Sequence, residues 1–202
     1  MKTGKRAAAV ALLLALLMGV TACGSVQTED QTKIEKENKV QIGMSFDSFV
    51  IERWQRDRDV FVSVAKELGA EVNVQNANGD VEQQRKQIDY FIQKGMDVIV
   101  IISIDAAELK DSVEKAKKEG IKVIAYDRLI EDADVDLYIS FDNEQVGTMM
   151  ALALVSQGIS GGNVLMLGGS PTDNNVPMVE KGFREVMDRN DVTILDSMHA
   201  DG

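Results

Sequence analysis

The sequence has one cysteine and one histidine in 202 residues, and these two shortages exclude several classes of protein. Cys23 has no partner for a disulfide within the chain. His199 has no cysteine partner near it, so no nucleophile–base pair and no clustered metal-ligand spacing is found. Gly-x-Gly-x-x-Gly is absent, and the run from Gly168 to Ser170 lacks the Lys-Ser/Thr of a phosphate loop. We therefore expect no catalytic residues, no metal and no cofactor.

Basic residues are also fewer than acidic ones, 22 against 33, so the formal net charge is −11. Residues 1–22 contain three bases and no acid, which leaves 19 bases against 33 acids, a net charge of −14, for the remainder. An acidic body repels the phosphate backbone of nucleic acids and the surface of an anionic bilayer. We therefore exclude nucleic acid as a partner.

The amino terminus has the composition of an export signal. A basic start is followed by the uncharged apolar run 7–20, which is shorter than the ~20 residues of a membrane span. The run ends in Val-Thr-Ala-Cys, which resembles a bacterial lipobox. We predict a lipoprotein signal peptide in 1–22, lipidation of Cys23, a solvated tether in 23–38, and an exported chain anchored to the cell membrane by lipid. The alternative is an ordinary export signal beside an incidental thiol.

Beyond the tether, strand and helix patterns alternate strictly. Four predicted helices end in glycine before a strand, which is the pattern of repeated β-α-β units, and Asp47 or Ser48 is expected to cap the first helix. We therefore predict an α/β fold with doubly wound parallel sheets. The predicted strands are 40–46, 70–74, 98–102, 121–126, 137–141, 164–167 and 192–195, and the apolar helix faces span 60–68, 81–92, 106–116, 146–154 and 178–187.

Polar and aromatic side chains follow three of the predicted strands, where open α/β sheets bind ligands. Together they offer two guanidiniums, two carboxylates, an amide and an indole, which suit the vicinal hydroxyls and C–H faces of a sugar. The alternatives are a salt-bridged turn for Asp127 and Arg128, and core packing for Trp54. The candidates are Arg53, Trp54, Asp127, Arg128, Asp173 and Asn175.

Four segments resemble the D-xylose-binding proteins of bacterial ABC sugar transporters, in the type I periplasmic sugar-binding family. They are Glu52–Asp59, Ala125–Arg128, Tyr138–Asn143 and Gly168–Asn175, and the resemblance runs from about Val40 to Gly202.

The resemblance implies two α/β lobes, in 39–142 and 143–202, that enclose a monosaccharide, most simply D-xylose, for uptake by an ABC permease. It implies that the six candidates contact the sugar, and that Asp142 and Asn143 form a hinge where the chain first crosses between lobes. An alternative use of the same pocket is to report sugar to a membrane sensor kinase or chemoreceptor.

The chain departs from the family's pattern at two points. Where the xylose proteins have a tryptophan before an Asp-Gly pair, this sequence has His199, which offers a smaller stacking face to a sugar. The family's chains also continue well beyond Gly202. We therefore expect an incomplete second lobe, and we expect these 202 residues to bind sugar weakly or not at all.

Overall fold

The computed structural model describes residues 39–200, and the predictions for 1–22, 23–38 and Cys23 lie outside the described residues. Strands and helices alternate through the described part of the chain, except that the strands 122–126 and 137–139 have no helix between them, so the predicted alternation is not strict. None of the described helices is long and apolar enough to cross a bilayer. The elements are β1 (Gln41–Phe46), α1 (Glu52–Glu67), β2 (Glu71–Asn76), α2 (Val81–Gln93), β3 (Val98–Ile101), α3 (Lys110–Lys118), β4 (Lys122–Tyr126), β5 (Leu137–Ile139), α4 (Asn143–Ser156), β6 (Asn163–Gly168), α5 (Asn175–Arg189) and β7 (Thr193–His199).

The first five strands form one parallel sheet in the order β2-β1-β3-β4-β5. The strand order reverses between β1 and β3, which are neighbours although β2 lies between them in the chain. Two further strands, β6 and β7, form a second parallel sheet. This arrangement confirms the predicted α/β class with doubly wound parallel sheets.

Strand β3 shows why the first sheet is buried on both faces. Ile99 and Ile101 pack with α2 and α3 on one face, whereas Val100 and the adjoining Ile102 pack with α1 on the other. Successive side chains of a strand point to opposite faces, so an unbroken apolar run supplies both cores. The sheet therefore has helices on both sides and leaves its strand ends free to form a site.

Several predicted boundaries shift, and the last strand runs to His199 instead of ending at 195. The third helix begins at Lys110 rather than near Ala106, because Asp105 holds the preceding turn by accepting a 2.9 Å hydrogen bond from the Ala107 N–H. Strand β5 ends at Ile139 instead of 141. The capping prediction for Asp47 or Ser48 is wrong, since α1 begins after Ile51 without a side-chain cap.

The second sheet is covered on one face by α4 and α5, which cross at two glycines. A Cβ on Gly147 would lie 1.9 Å from the Val179 carbonyl oxygen, and one on Gly182 equally close to that of Glu144. On the strands, Leu165 and Leu167 are 76% and 75% exposed. The two helices therefore pack backbone to backbone, while these two leucines face solvent in the described part of the chain.

Candidate functional site

Asp127 lies directly after β4 and is only 6% exposed. Its Oδ2 is paired with the guanidinium of Arg53 on α1. Its Oδ1 accepts a hydrogen bond of 2.9 Å from the Nδ2 of Asn175, the first residue of α5. Three predicted site residues, which are distant in sequence, therefore meet at one buried carboxylate.

The backbone of Asp127 adopts the left-handed region, with a φ of 66°. Its N–H donates to the Ile139 carbonyl at 2.7 Å, and its own carbonyl accepts from the Ser140 hydroxyl at 2.6 Å. Aspartate tolerates this conformation better than most residues, yet it is uncommon outside glycine. Such strained positions concentrate at functional sites, where the surrounding structure holds them.

The side chain of Arg128 reaches the edge of the sheet between β1 and β3, where the strand order reverses. Its Nη1 donates to Asp47 Oδ2 at 2.8 Å and to the Ser103 carbonyl at 3.0 Å. Asp47 follows β1, and Ser103 follows β3 at a distance of two residues. In open α/β sheets, ligands bind in the crevice at this reversal, so Arg128 lies where the topology predicts a ligand.

The loop after β6 completes the charged cluster. Asp173 Oδ2 lies 2.9 Å from Arg128 Nε, close enough for an ion pair, although this N–H is not aligned for a hydrogen bond. Asp173 Oδ1 accepts from the backbone N–H of Asn175 at 2.9 Å. Arg53, Asp127, Arg128, Asp173 and Asn175 thus form one connected group, which we call the strand-end cluster.

The same loop also contacts the first sheet outside the strand-end cluster. The Ala106 N–H donates to the Thr172 carbonyl at 3.1 Å, and Asn174 Nδ2 donates to Glu131 Oε1 at 3.1 Å. Segments that follow strands of both sheets therefore face each other across the strand-end cluster.

Trp54 is buried, with 3% of its surface exposed. Phe46 meets it edge-on with ring centroids 6.5 Å apart, and the guanidiniums of Arg53 and Arg128 lie 4.4 and 5.9 Å from its ring centroid. Its indole N–H has no hydrogen-bond partner among the described residues. These contacts are those of a core residue whose ring makes cation–π contacts with two arginines. The stacking of Trp54 on a sugar stays a prediction.

His199 does not join the strand-end cluster. It ends β7, and its Nε2 lies 2.8 Å from Glu180 Oε1 on α5. The two hinge candidates make different contacts. Asp142 caps α4 by accepting from the Gln145 N–H at 2.9 Å. Asn143 instead donates from its Nδ2 to Asn175 Oδ1 at 2.9 Å. Of these three predicted residues, only Asn143 contacts the cluster.

Neighbouring side chains determine the protonation states of Arg53 and Tyr126. Burial alone would lower the pKa of Arg53, but the carboxylates of Asp127 and Asp57 raise it above the ordinary value. Burial raises the pKa of Tyr126, and its hydrogen bond of 3.1 Å to Asp57 raises it further. At neutral pH, Arg53 is therefore cationic and Tyr126 is a neutral donor.

Sequence reasoning missed Asp47, Ser103 and Ser140, which hold Arg128 and Asp127 in place. A signal existed for Asp47, because it follows β1 just as Asp127 follows β4, but we interpreted it as a helix cap. Ser103 acts through its carbonyl, which every residue has, so no side-chain pattern could identify it.

The strand-end cluster offers carboxylate acceptors and guanidinium and amide donors within a partly buried crevice. Such groups bind vicinal hydroxyls through paired, charge-assisted hydrogen bonds. Within residues 39–200, no group of three or more His, Cys, Asp or Glu side chains is placed to hold a metal ion. The arrangement suits recognition of a polyhydroxylated molecule.

A family model described as a periplasmic binding protein domain matches residues 42–202. The chain belongs to the periplasmic binding protein family. The D-xylose-binding periplasmic protein of Escherichia coli K12 is 49% identical over 168 residues, which cover 83% of this chain and 50% of that protein. Its counterpart in Haemophilus influenzae is 50% identical over 149 residues, 74% of this chain and 45% of that protein.

Solved structures of periplasmic binding proteins show the same fold. An ABC transporter solute-binding protein from Clostridium phytofermentans, with bound β-D-glucose, is 32% identical with a TM-score of 0.72, over 76% of this chain and 51% of that one. The chain therefore has the parallel α/β fold of the type I periplasmic binding proteins, and it spans about half the length of the curated relatives given above. The predicted class, a binding protein rather than an enzyme, is confirmed for the family.

Proposed function

We propose that the protein is an extracytoplasmic sugar-binding protein that captures a monosaccharide, with D-xylose as the first candidate, for uptake by an ABC permease. The observation that carries the proposal is the strand-end cluster, in which Arg128 reaches the reversal of strand order and pairs with Asp173, while Asp127 accepts from Asn175. Asp173 and Asn175 both follow β6 of the second sheet. The two relatives that are about half identical, both described as D-xylose-binding, support the choice of sugar.

Each lobe contributes polar groups to the proposed site. We place the lobes at 39–142 and 143–202, because the five-stranded sheet lies within residues 41–139 and the two-stranded sheet within 163–199. Asp142 caps α4 and Asn143 is the first residue of that helix, which follows β5, so these two residues are the proposed hinge. A sugar held by both lobes favours closure, since closure adds contacts and excludes water from the charged groups.

The affinity expected of such a site is micromolar. A hydrogen bond to a charged group contributes roughly 1.5–3 kcal/mol, so three or four of them supply the ~8 kcal/mol of a micromolar complex. We also propose that the protein is retained at the membrane through a lipid on Cys23, as the lipobox-like residues 20–23 indicate.

Isothermal titration calorimetry tests the proposal on purified protein whose second lobe has the full length found in the two D-xylose-binding relatives, with D-xylose, D-glucose, D-ribose and L-arabinose as ligands. We expect saturable binding of D-xylose with a Kd in the micromolar range, about one site per chain. Absence of binding by all four sugars up to about 10 mM, a concentration at which even millimolar affinity is visible, would overturn it.

A further inference from the structure

Asn143 places its side-chain amide among three acceptors. It is the first residue of α4 and is 8% exposed. Its Nδ2 lies 2.9 Å from Asn175 Oδ1, and 3.3 Å from both the Ser140 hydroxyl oxygen and the Phe141 carbonyl oxygen. These three neighbours require the NH₂ group, not the oxygen, of the Asn143 amide to point inward.

The orientation of the Asn175 amide follows from its two neighbours. Its Nδ2 faces Asp127 Oδ1 at 2.9 Å and the Asp127 carbonyl at 3.3 Å, and an ionised carboxylate and a carbonyl only accept hydrogen bonds. Its Oδ1 faces the donor of Asn143. Rotating the Asn175 amide by 180° would oppose oxygen to oxygen at Asp127 and nitrogen to nitrogen at Asn143, so both neighbours select one orientation.

A second set of hydrogen bonds, through the Ser140 hydroxyl, connects Asn143 to Asp127. The Ser140 hydroxyl oxygen accepts from Asn143, and its proton is donated to the Asp127 carbonyl at 2.6 Å. The amide of Asn143 therefore directs both a side chain of the second lobe and a hydroxyl of the first lobe toward the same residue.

We propose that Asn143 is a positioning residue of the sugar site, which acts by fixing the amide of Asn175 with its NH₂ group toward the carboxylate of Asp127. This inference rests on the proposed function. It goes beyond a hinge role, because it assigns a side-chain task to Asn143: its N–H occupies one lone pair of Asn175 Oδ1 and so keeps the Asn175 NH₂ group on Asp127.

The decisive variant is Asn143→Asp, which keeps the shape of the side chain but removes the donor. A carboxylate at 143 has no proton to donate to Asn175 Oδ1 and competes with Asp127 for the Asn175 NH₂ group, so the hydrogen bond that holds the Asp127 carboxylate is weakened. We expect the Kd for D-xylose to rise by about tenfold or more, the typical cost of one hydrogen bond to a charged group. The matched control is Glu144→Gln, which removes a surface charge paired with Lys181 and should change the Kd by less than about twofold.

A double-mutant cycle separates positioning from a structural role. If Asn143 acts through Asn175, then Asn143→Asp should change the Kd by less than about threefold in an Asn175→Ala background, although it has its full effect in the wild type. Asn143→Ala is carried in parallel, and thermal melting checks that each variant is folded. Should Asn143→Asp not fold, the same cycle is completed with Asn143→Ala.

The outcomes distinguish this inference from the proposed function. If wild-type protein binds D-xylose, two results would overturn the positioning role and leave the proposed function standing. One is a Kd of the folded Asn143 variants within threefold of the wild-type Kd. The other is additive effects of the Asn143 and Asn175 substitutions on the free energy of binding in the cycle. Wild-type protein that binds no monosaccharide overturns the proposed function and the positioning role with it. A coupled loss of affinity supports both.

Discussion

Arg128 Nε and Asp173 Oδ2 lie 2.9 Å apart and join the end of β4 to the loop after β6, with only 14% and 16% of their side chains exposed. The same guanidinium also pairs with Asp47, which follows β1. Arg128 therefore binds one carboxylate at the strand ends of the first sheet and another in the loop that follows β6 of the second sheet. A largely buried ion pair therefore links the strand ends of the first sheet to the loop that follows β6.

Removing that ion pair should cost stability. Asp173→Asn keeps an oxygen that can accept from the Asn175 N–H but places no negative charge beside Arg128. We expect the free energy of unfolding to fall by about 1–2 kcal/mol, less than for a fully uncompensated buried charge because Asp47 remains. Urea unfolding measures this, with the exposed Asp188→Asn as control; equal stability of the two variants would contradict the role of the pair.

Asp127 combines a site carboxylate with a left-handed backbone, and two substitutions separate these properties. Asp127→Asn and Asp127→Ala should both weaken D-xylose binding by roughly 2–4 kcal/mol, between thirtyfold and a thousandfold. Asp127→Ala should in addition be about 1 kcal/mol less stable than Asp127→Asn, because asparagine tolerates a φ of 66° better than alanine.

Calorimetry and thermal melting measure the two effects independently. Binding by folded Asp127→Asn protein within threefold of wild type would remove Asp127 from the sugar site. Equal melting of the two variants would show that the backbone strain carries no energetic cost.

Asp136 should contribute pH-dependent stability. Lys117 Nζ lies 2.7 Å from its carboxylate, the Val123 N–H donates to it at 2.9 Å, and Lys122 Nζ lies at 3.0 Å. These groups, Lys117 first, hold the pKa of Asp136 well below its usual value. Because the pKa is lower in the folded than in the unfolded state, the stabilisation is present above the unfolded value of about 3.9 and declines as the pH falls below it.

We expect Asp136→Asn to lower stability by about 0.5–1 kcal/mol at pH 7, since the side chain is partly exposed and its pairs are screened. The difference from wild type should shrink as the pH falls from 5 to 3. Urea unfolding at several pH values measures it, with the exposed Asp134→Asn as control. A difference that stays constant with pH would be at odds with this assignment.

Gly147 lets α4 approach α5 closely, and an alanine at this position tests how much the close approach contributes to stability. Helix propensity alone predicts that Gly147→Ala stabilises α4 by about 1 kcal/mol. The new Cβ would lie 1.9 Å from the Val179 carbonyl oxygen, so the helices must separate, and we expect a net loss of about 1–3 kcal/mol. Chemical denaturation decides between the two signs, and Ala153→Ser on the exposed side of α4 is the control.

Cys23 should be the lipidated amino terminus of the exported protein, because small residues precede the only cysteine at the end of the apolar run. Mass spectrometry of the membrane fraction should detect an acylated Cys23 peptide, and Cys23→Ser should release the protein from that fraction. A mature chain that begins elsewhere and carries an unmodified cysteine would disprove lipidation.

The sequence alone determined the order of strands and helices and the parallel, doubly wound class. The apolar runs at β3 and β4 are buried on both faces, and glycines 69, 95, 120 and 158 each have a positive φ where a helix was predicted to end. These features depend on local periodicity and backbone freedom, which are readable from neighbouring residues. The strand ends also located Asp127 and Arg128, because strand ends in parallel sheets share one edge.

Tertiary structure decided how those residues are used. Asp47 fits a helix cap by sequence, but the fold brings Arg128 to it from 81 positions away, and the ion pair replaces the cap. Asn143 was predicted as a hinge residue, and its hydrogen bond to Asn175 exists only because β6 and α5 return to the first lobe. His199 was expected at the site, but the register of β7 with β6 places it beside Glu180. Contacts between residues far apart in sequence depend on how elements pack, which local patterns do not encode.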